Sequence, residues 1–129
     1  GIDREDKVRL MREELAQALG EHEFGAFASA RDARAHRTRT LTAARVARLG
    51  GSGKLLAVDI RGDGFLHNMV RILVGTAVDV ALGRIAPGAV ARALSSGERK
   101  DAGVTAPACG LYLEEVELSD DGEDRWPPA

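Results

Sequence analysis

The sequence predicts an α+β chain, and three observations carry that reading. Two stretches place apolar residues at three- and four-residue steps, two extended runs between them flank a glycine-rich turn, and a further extended run follows near the end. With 129 residues the chain is long enough for one domain and too short for a second core of useful size.

The first helix is expected over 3–19. Val8, Met11, Leu15 and Leu19 share one face, Asp3 stands where a cap belongs, and Gly20 ends the pattern. Phe24 and Phe27 follow at helical spacing and predict a short helical piece packed under that helix. Residues 38–49 read as extended, with threonines followed by Val46 and Leu49 and no helical stripe. Gly50-Gly51-Ser52-Gly53 is a turn signal. Beyond it Leu56, Val58 and Ile60 alternate with Ala57, Asp59 and Arg61, the pattern of a half-buried strand, so the two runs form a hairpin.

Gly62-Asp63-Gly64 breaks the chain before the strongest helical signal, at 66–82. There Leu66, Met69, Val70, Leu73, Val74, Ala77 and Ala81 make an apolar stripe that Gly83 closes. Pro87 suits the first turn of a short helix over 87–95. A loop with Gly97, Gly103 and Pro107 leads to a last strand at 110–118. Residues 119–129 are acidic, end in prolines, and read as a disordered tail.

Composition narrows the class. Hydrophobic residues make up 44% and charged residues 29%, the profile of a globular rather than a disordered chain. No apolar run approaches the ~18 residues of a membrane helix, and no signal-peptide pattern opens the sequence, so no membrane partner is expected. The single cysteine, Cys109, cannot form an internal disulfide, which points to the cytoplasm. His22, His36 and His67 are widely spaced, which argues against a zinc site; no metal is expected. The chain opens at Gly1 rather than methionine, as a processed or shortened chain would.

Charge is informative once mapped. The net charge is −2, yet 114–124 holds seven acids and no base, while 31–48 holds six arginines against Asp32 alone. A basic segment on a mildly acidic chain is compatible with a phosphate backbone; it equally describes a solvated arginine-rich face.

Two general motifs fail. Gly50 to Lys54 ends like a phosphate-binding loop, but Arg48 stands where its first glycine belongs and Leu55 where a magnesium-holding hydroxyl is needed. Cys109 has no neighbouring cue for a base and reads as a small buried thiol. The helix at 66–82 is different. His67, Asn68 and Arg71 fall within one turn, and Gly75 follows one turn later on the same side. A mid-helix glycine costs up to about 1 kcal/mol against alanine and commonly marks a close approach by backbone or ligand. The pattern alone is equally that of a surface His and Arg on an ordinary amphipathic helix.

The motifs themselves say more. Phe65-Leu66-His67-Asn68-Met69-Val70-Arg71-Ile72-Leu73-Val74-Gly75-Thr76, preceded by Val58-Asp59-Ile60-Arg61-Gly62, closely resembles the signature of the TruA family of tRNA pseudouridine synthases. Leu19-Gly20-Glu21-His22-Glu23-Phe24 resembles the family's Gly-x-His-Asp-Phe, with Glu23 for the usual Asp. Thr38-Arg39-Thr40-Leu41 resembles its Arg-Thr-Ile strand start. Glu98-Arg99, Ala102-Gly103, Thr105-Ala106-Pro107-Ala108 and Gly110-Leu111-Tyr112-Leu113 follow its closing pattern. The resemblance covers 1–118 and corresponds to the C-terminal half of such an enzyme.

That resemblance implies an antiparallel sheet flanked by helices on one face, half of the pseudouridine synthase fold. It implies tRNA as substrate, modified in the anticodon stem-loop, with no cofactor. It also implies a homodimer and, as partner, the N-terminal half of the same enzyme, which carries the catalytic aspartate. Arg71 is implied to face that aspartate across the cleft, where a guanidinium, never deprotonated, can hold a carboxylate ionised and in place. Leu111 is implied to pack beside the flipped uracil. His67, Asn68 and Arg39 are the remaining implied substrate-binding residues. Arg99-Lys100-Asp101-Ala102-Gly103 only superficially resembles the aspartate segment, because it falls inside the C-terminal motif; Asp101 is not expected to be the nucleophile, Asp59 is expected to be structural, and Asp63 and Asp79 have no motif support. On these grounds the isolated chain is expected to be inactive. A stand-alone RNA-binding module and a plain α+β interaction domain are the competing readings.

Overall fold

The computed structural model describes residues 4–49 and 55–107. Val8, Met11 and Leu15 are nearly fully buried, as their spacing requires, on a helix α1 that spans Arg4–Ala16. It ends earlier than expected. Gln17, Ala18 and Leu19 close it with tight turn bonds to Glu14, Leu15 and Ala16, so Leu19 leaves the stripe and is exposed.

Gly20, with φ of 92°, then starts a strand that the sequence reading did not contain, β1, Gly20–Glu23. Phe24 follows β1, and Phe27 ends a single 3-10 turn, Gly25–Phe27. Their rings meet edge-on at 6.3 Å between centroids, and both are fully buried in the core shared with α1.

The hairpin forms as expected. Strand β2, Thr38–Leu49, pairs antiparallel with β3, Leu55–Gly62, and β1 pairs antiparallel with the start of β2, giving the order β1-β2-β3. The register matches Val46 with Val58 and Ala44 with Ile60, and a bulge between Leu41 and Ala43 lets Leu41 join them on the core side. Arg45, Asp59 and Arg61 alternate to the other face. Asp59 meets Arg45 at 2.5 Å and Arg61 at 3.1 Å, a structural role like the one expected for it. Asp63 lengthens the hairpin, since Thr40 N donates to its carboxylate and Asp63 N donates to Thr40 O.

Helix α2 spans Met69–Ala81, three residues short of its expected start. Leu66 is buried and fits the stripe, but Asn68 adopts a left-handed conformation with φ of 60°, which no continuous helix accommodates. The helix is buried on nearly every side rather than along one stripe: Ile72, Thr76, Asp79 and Val80 are interior along with Leu73, Val74 and Ala77. Helix α3, Ala89–Ser96, starts two residues after Pro87, because Gly88 takes the N-cap position with φ of 91°. Its N-terminus is capped from the end of α1 and the residue just after it. Glu14 accepts from Gly88 N and Val90 N, and Gln17 accepts from Ala91 N.

Helix α1 packs against β2 and α2, and α3 packs against both helices, so this α+β layer of antiparallel sheet and helices has one core between them. The expected strand at 110–118, the tail at 119–129, Asp3 and the Gly50–Gly53 turn lie outside the described residues. Among the described residues no helix is long and apolar enough to cross a membrane.

Candidate functional site

Arg71 sits in the first turn of α2, half-buried, and every bond it makes follows from that position. Its Nε donates to Ala106 O at 2.8 Å, its Nη1 donates to Asn68 Oδ1 at 3.2 Å, and its own carbonyl accepts from Ala106 N at 3.0 Å. Residue 106 is therefore gripped by both the side chain and the main chain of residue 71.

Segment 103–106 lies along α2 like a strap, and the helix is built to receive it. Gly103 N donates to Thr76 Oγ1 at 2.8 Å, while Thr76 Oγ1 donates in turn to Ile72 O at 2.7 Å. Val104 N donates to Asp79 Oδ2 at 3.1 Å. Arg99 closes the near end, donating to Gly103 O and to Thr105 Oγ1. Gly75 makes the contact possible: a Cβ there would stand 1.7 Å from Val104 O. The close approach read from this mid-helix glycine is present, and what approaches is backbone.

Asn68 and Arg71 come together as their three-residue spacing implied. His67 does not join them on a helical face, because it stands in the turn before α2. Its N–H donates to Asp32 Oδ2 at 2.7 Å, its carbonyl accepts from Ser29 N, and its side chain is exposed.

Asp32 organises the arginine segment. Buried itself, it takes three bonds from the Arg34 side chain, two from Nε and one from Nη2, and one each from the backbone N–H groups of Arg34 and His67. The Arg34 guanidinium, with the two backbone donors behind it, holds the Asp32 carboxyl well below the usual carboxylate range, and the same bond raises Arg34. The excess charge falls on other arginines. Arg37 donates to the carbonyls of Arg34 and Asp32, and Arg39 to those of His36 and Thr38. A neutral carbonyl fixes a guanidinium without cancelling its charge. Arg39, His36, Thr38 and Arg34 line a shallow hollow closed by Asp63, Gly64 and the half-exposed ring of Phe65.

Of the other residues singled out, Asp101 is exposed on the 3-10 turn Arg99–Asp101, and Asp79 is buried on the strap and Arg84. Leu111 and Cys109 lie outside the described residues. Sequence reasoning missed Thr76, Asp79, Arg99 and Ala106 as supports of Arg71. A carboxylate among the apolar residues of the last turn of α2, as at Asp79, is the signal that could have found one of them.

Comparison with known proteins decides the family. Residues 15–118 match the family model described as tRNA pseudouridine synthase. The chain belongs to the tRNA pseudouridine synthase family. It is 45% identical over 97 residues to the tRNA pseudouridine synthase A of Pelobacter propionicus, covering 75% of this chain and 38% of that protein. It is 42% identical over 106 residues to that of Acetivibrio thermocellus, covering 82% and 42% respectively. The Myxococcus xanthus protein is 42% identical over 120 residues, 93% of this chain and 44% of its own length. The chain thus spans about two fifths of the length of the curated relatives it matches. In this synthase-family chain the strap 103–106 and the first turns of α2 both fall inside the matched region.

Proposed function

We propose that this chain supplies the C-terminal half of a synthase that isomerises uridine to pseudouridine in the anticodon stem-loop of tRNA. The observation that carries this is the half-buried guanidinium of Arg71, anchored to Ala106 O and Asn68 Oδ1 within the family-matched region. An arginine so anchored is suited to a carboxylate brought by the other half of the enzyme. In the reaction the N-glycosidic bond breaks, the uracil turns while held, and C5 bonds to the ribose; the C5 hydrogen leaves and N1 takes up a proton, so composition is unchanged. The catalytic aspartate belongs to the N-terminal half. Arg71 keeps it ionised and aimed, and Leu111 walls the extruded base.

The carbonyl-fixed Arg39 beside the Phe65 ring gives the tRNA backbone and an unstacked base a place to rest, with His67 at the edge of the same region. Residues 1–118 act as the C-terminal domain and 119–129 as its tail. The partners are tRNA, the N-terminal half and a second copy of the enzyme, in the cytoplasm, with no cofactor.

The test is tritium release from tRNA labelled at uridine C5, using the full-length protein, with the position of the pseudouridine formed mapped. Release from the anticodon stem-loop is expected with the full-length protein and none with the chain alone. No release by the full-length protein overturns the activity, release from another region overturns the position, and release by the isolated chain returns attention to Asp101.

A further inference from the structure

Asn68 combines two features that have separate causes and one shared effect. Its backbone is left-handed, with φ of 60°, the one positive-φ non-glycine among the described residues. Such a conformation is costly for most side chains and tolerated by asparagine. Its carbonyl receives Ile72 N, which begins the helix, but its side chain does not cap that helix. Oδ1 instead accepts from Arg71 Nη1 at 3.2 Å. A cap would have been the ordinary use of an asparagine at this position, so the side chain is spent on the arginine.

The guanidinium is thereby held at two separate atoms. Ala106 O takes Nε, and Asn68 Oδ1 takes Nη1. One bond at Nε would leave the guanidinium free to tilt through the torsions of its side chain, including Cδ–Nε; two bonds on different nitrogens fix its plane. With Nε occupied, a carboxylate cannot use the Nε and Nη2 pair as its fork, and Nη2 becomes the leading donor.

We infer that Asn68 is a positioning residue for Arg71, orienting its guanidinium so that Nη2 leads toward the incoming carboxylate, rather than a residue that contacts RNA. This rests on the reading of Arg71 given under Proposed function. Reaction rate should depend on Asn68 through Arg71, and tRNA affinity should not depend on it.

Two variants separate the acceptor from the backbone. Asn68→Gly keeps the left-handed conformation and removes Oδ1; Asn68→Ala removes Oδ1 and strains the backbone, so it should melt at a lower temperature. In the full-length synthase both are expected to slow single-turnover conversion at saturating enzyme by about tenfold, with the tRNA dissociation constant and its salt dependence unchanged. Placed on Arg71→Met, Asn68→Gly should add no further loss. A wild-type rate for Asn68→Gly beside a slow Arg71→Met overturns this inference alone. So does an Asn68→Gly that weakens tRNA binding while keeping the saturated rate, or one whose loss adds in full to that of Arg71→Met. A wild-type rate for Arg71→Met itself overturns the reading of the arginine, and this inference with it.

Discussion

Val104 O lies directly over Gly75: a methyl group built on Gly75 would stand 1.7 Å from that oxygen and 3.0 Å from Ala106 N. The neighbour is main chain on both counts, so nothing flexible can swing aside. Removing a side chain at one helical position is what lets a second segment descend onto α2. The descent puts Ala106 O within reach of Arg71 Nε, and Gly103 N within reach of Thr76 Oγ1. One glycine thus links helix packing to the orientation of the candidate active-site arginine.

Gly75→Ala should therefore destabilise the protein despite alanine's better helix propensity. The propensity gain is at most ~1 kcal/mol. Displacing the strap costs at the upper end of the about 1–3 kcal/mol typical of overpacking, and it also loosens the Arg71 anchor. A denaturant titration should show a net loss of stability together with a slower saturated rate. An equal or higher midpoint would show that the strap lifts without cost.

How much of this was legible beforehand depends on which physical signal each feature leaves. The β2–β3 hairpin is written in Leu56, Val58 and Ile60 and a glycine-rich turn, and α2 in its apolar density. Strand β1 leaves no such mark, because Gly20-Glu21-His22-Glu23 is short, polar and largely exposed, and its strand character comes from backbone pairing to β2. Leu66 drew the expected start of α2 forward, since burial and helicity look alike in a pattern of apolar residues, and only the left-handed Asn68 separates them. In the site, Arg71 stood out through a motif and Gly75 through its helix cost. One partner of Arg71 is a backbone carbonyl, which every residue has, so Ala106 stands in the closing motif without any mark of that contact.

The capping of α3 by α1 predicts a stability effect far from the site. Glu14 is buried and serves Gly88 N and Val90 N with separate oxygens. Glu14→Ala leaves both donors without that partner and should cost about 1–3 kcal/mol. Glu14→Gln keeps one acceptor and should cost about 1 kcal/mol. Equal losses in chemical denaturation would mean that the negative charge at the α3 N-terminus, and not the number of acceptors, is what matters.

Asp32 predicts a dependence on pH. Its carboxyl is lowered in the folded state, chiefly by the Arg34 side chain and then by His67 N. A lowered folded value means that the unfolded chain takes up the proton first as pH falls. The contribution of Asp32 is therefore complete at neutral pH, and it declines once the pH drops below about 4, the ordinary aspartate value. Thermal melts of the wild type and Asp32→Asn should differ most near pH 7, and the gap should narrow progressively as the pH falls below about 4. A gap that stays constant across that range would show that the ionised form is not what holds His67 and the arginine segment.

Arg71 offers the sharpest division between chemistry and binding. If it fixes the catalytic aspartate, Arg71→Lys keeps the charge but loses the planar, doubly anchored guanidinium that aims it, and Arg71→Met loses both. Each should lower the saturated single-turnover rate by on the order of 10²-fold or more, with tRNA affinity, spread over many phosphate contacts, changed far less. The anchor to Ala106 O makes a folding control necessary, so melting temperatures belong beside the rates. If Arg71 were one more phosphate contact, the order would reverse. Affinity would fall, the salt dependence would drop by about one unit, and conversion at saturating enzyme would survive. A salt titration of binding run beside the single-turnover series separates the two, and an unchanged saturated rate in a folded Arg71→Met variant would remove the arginine from the chemistry.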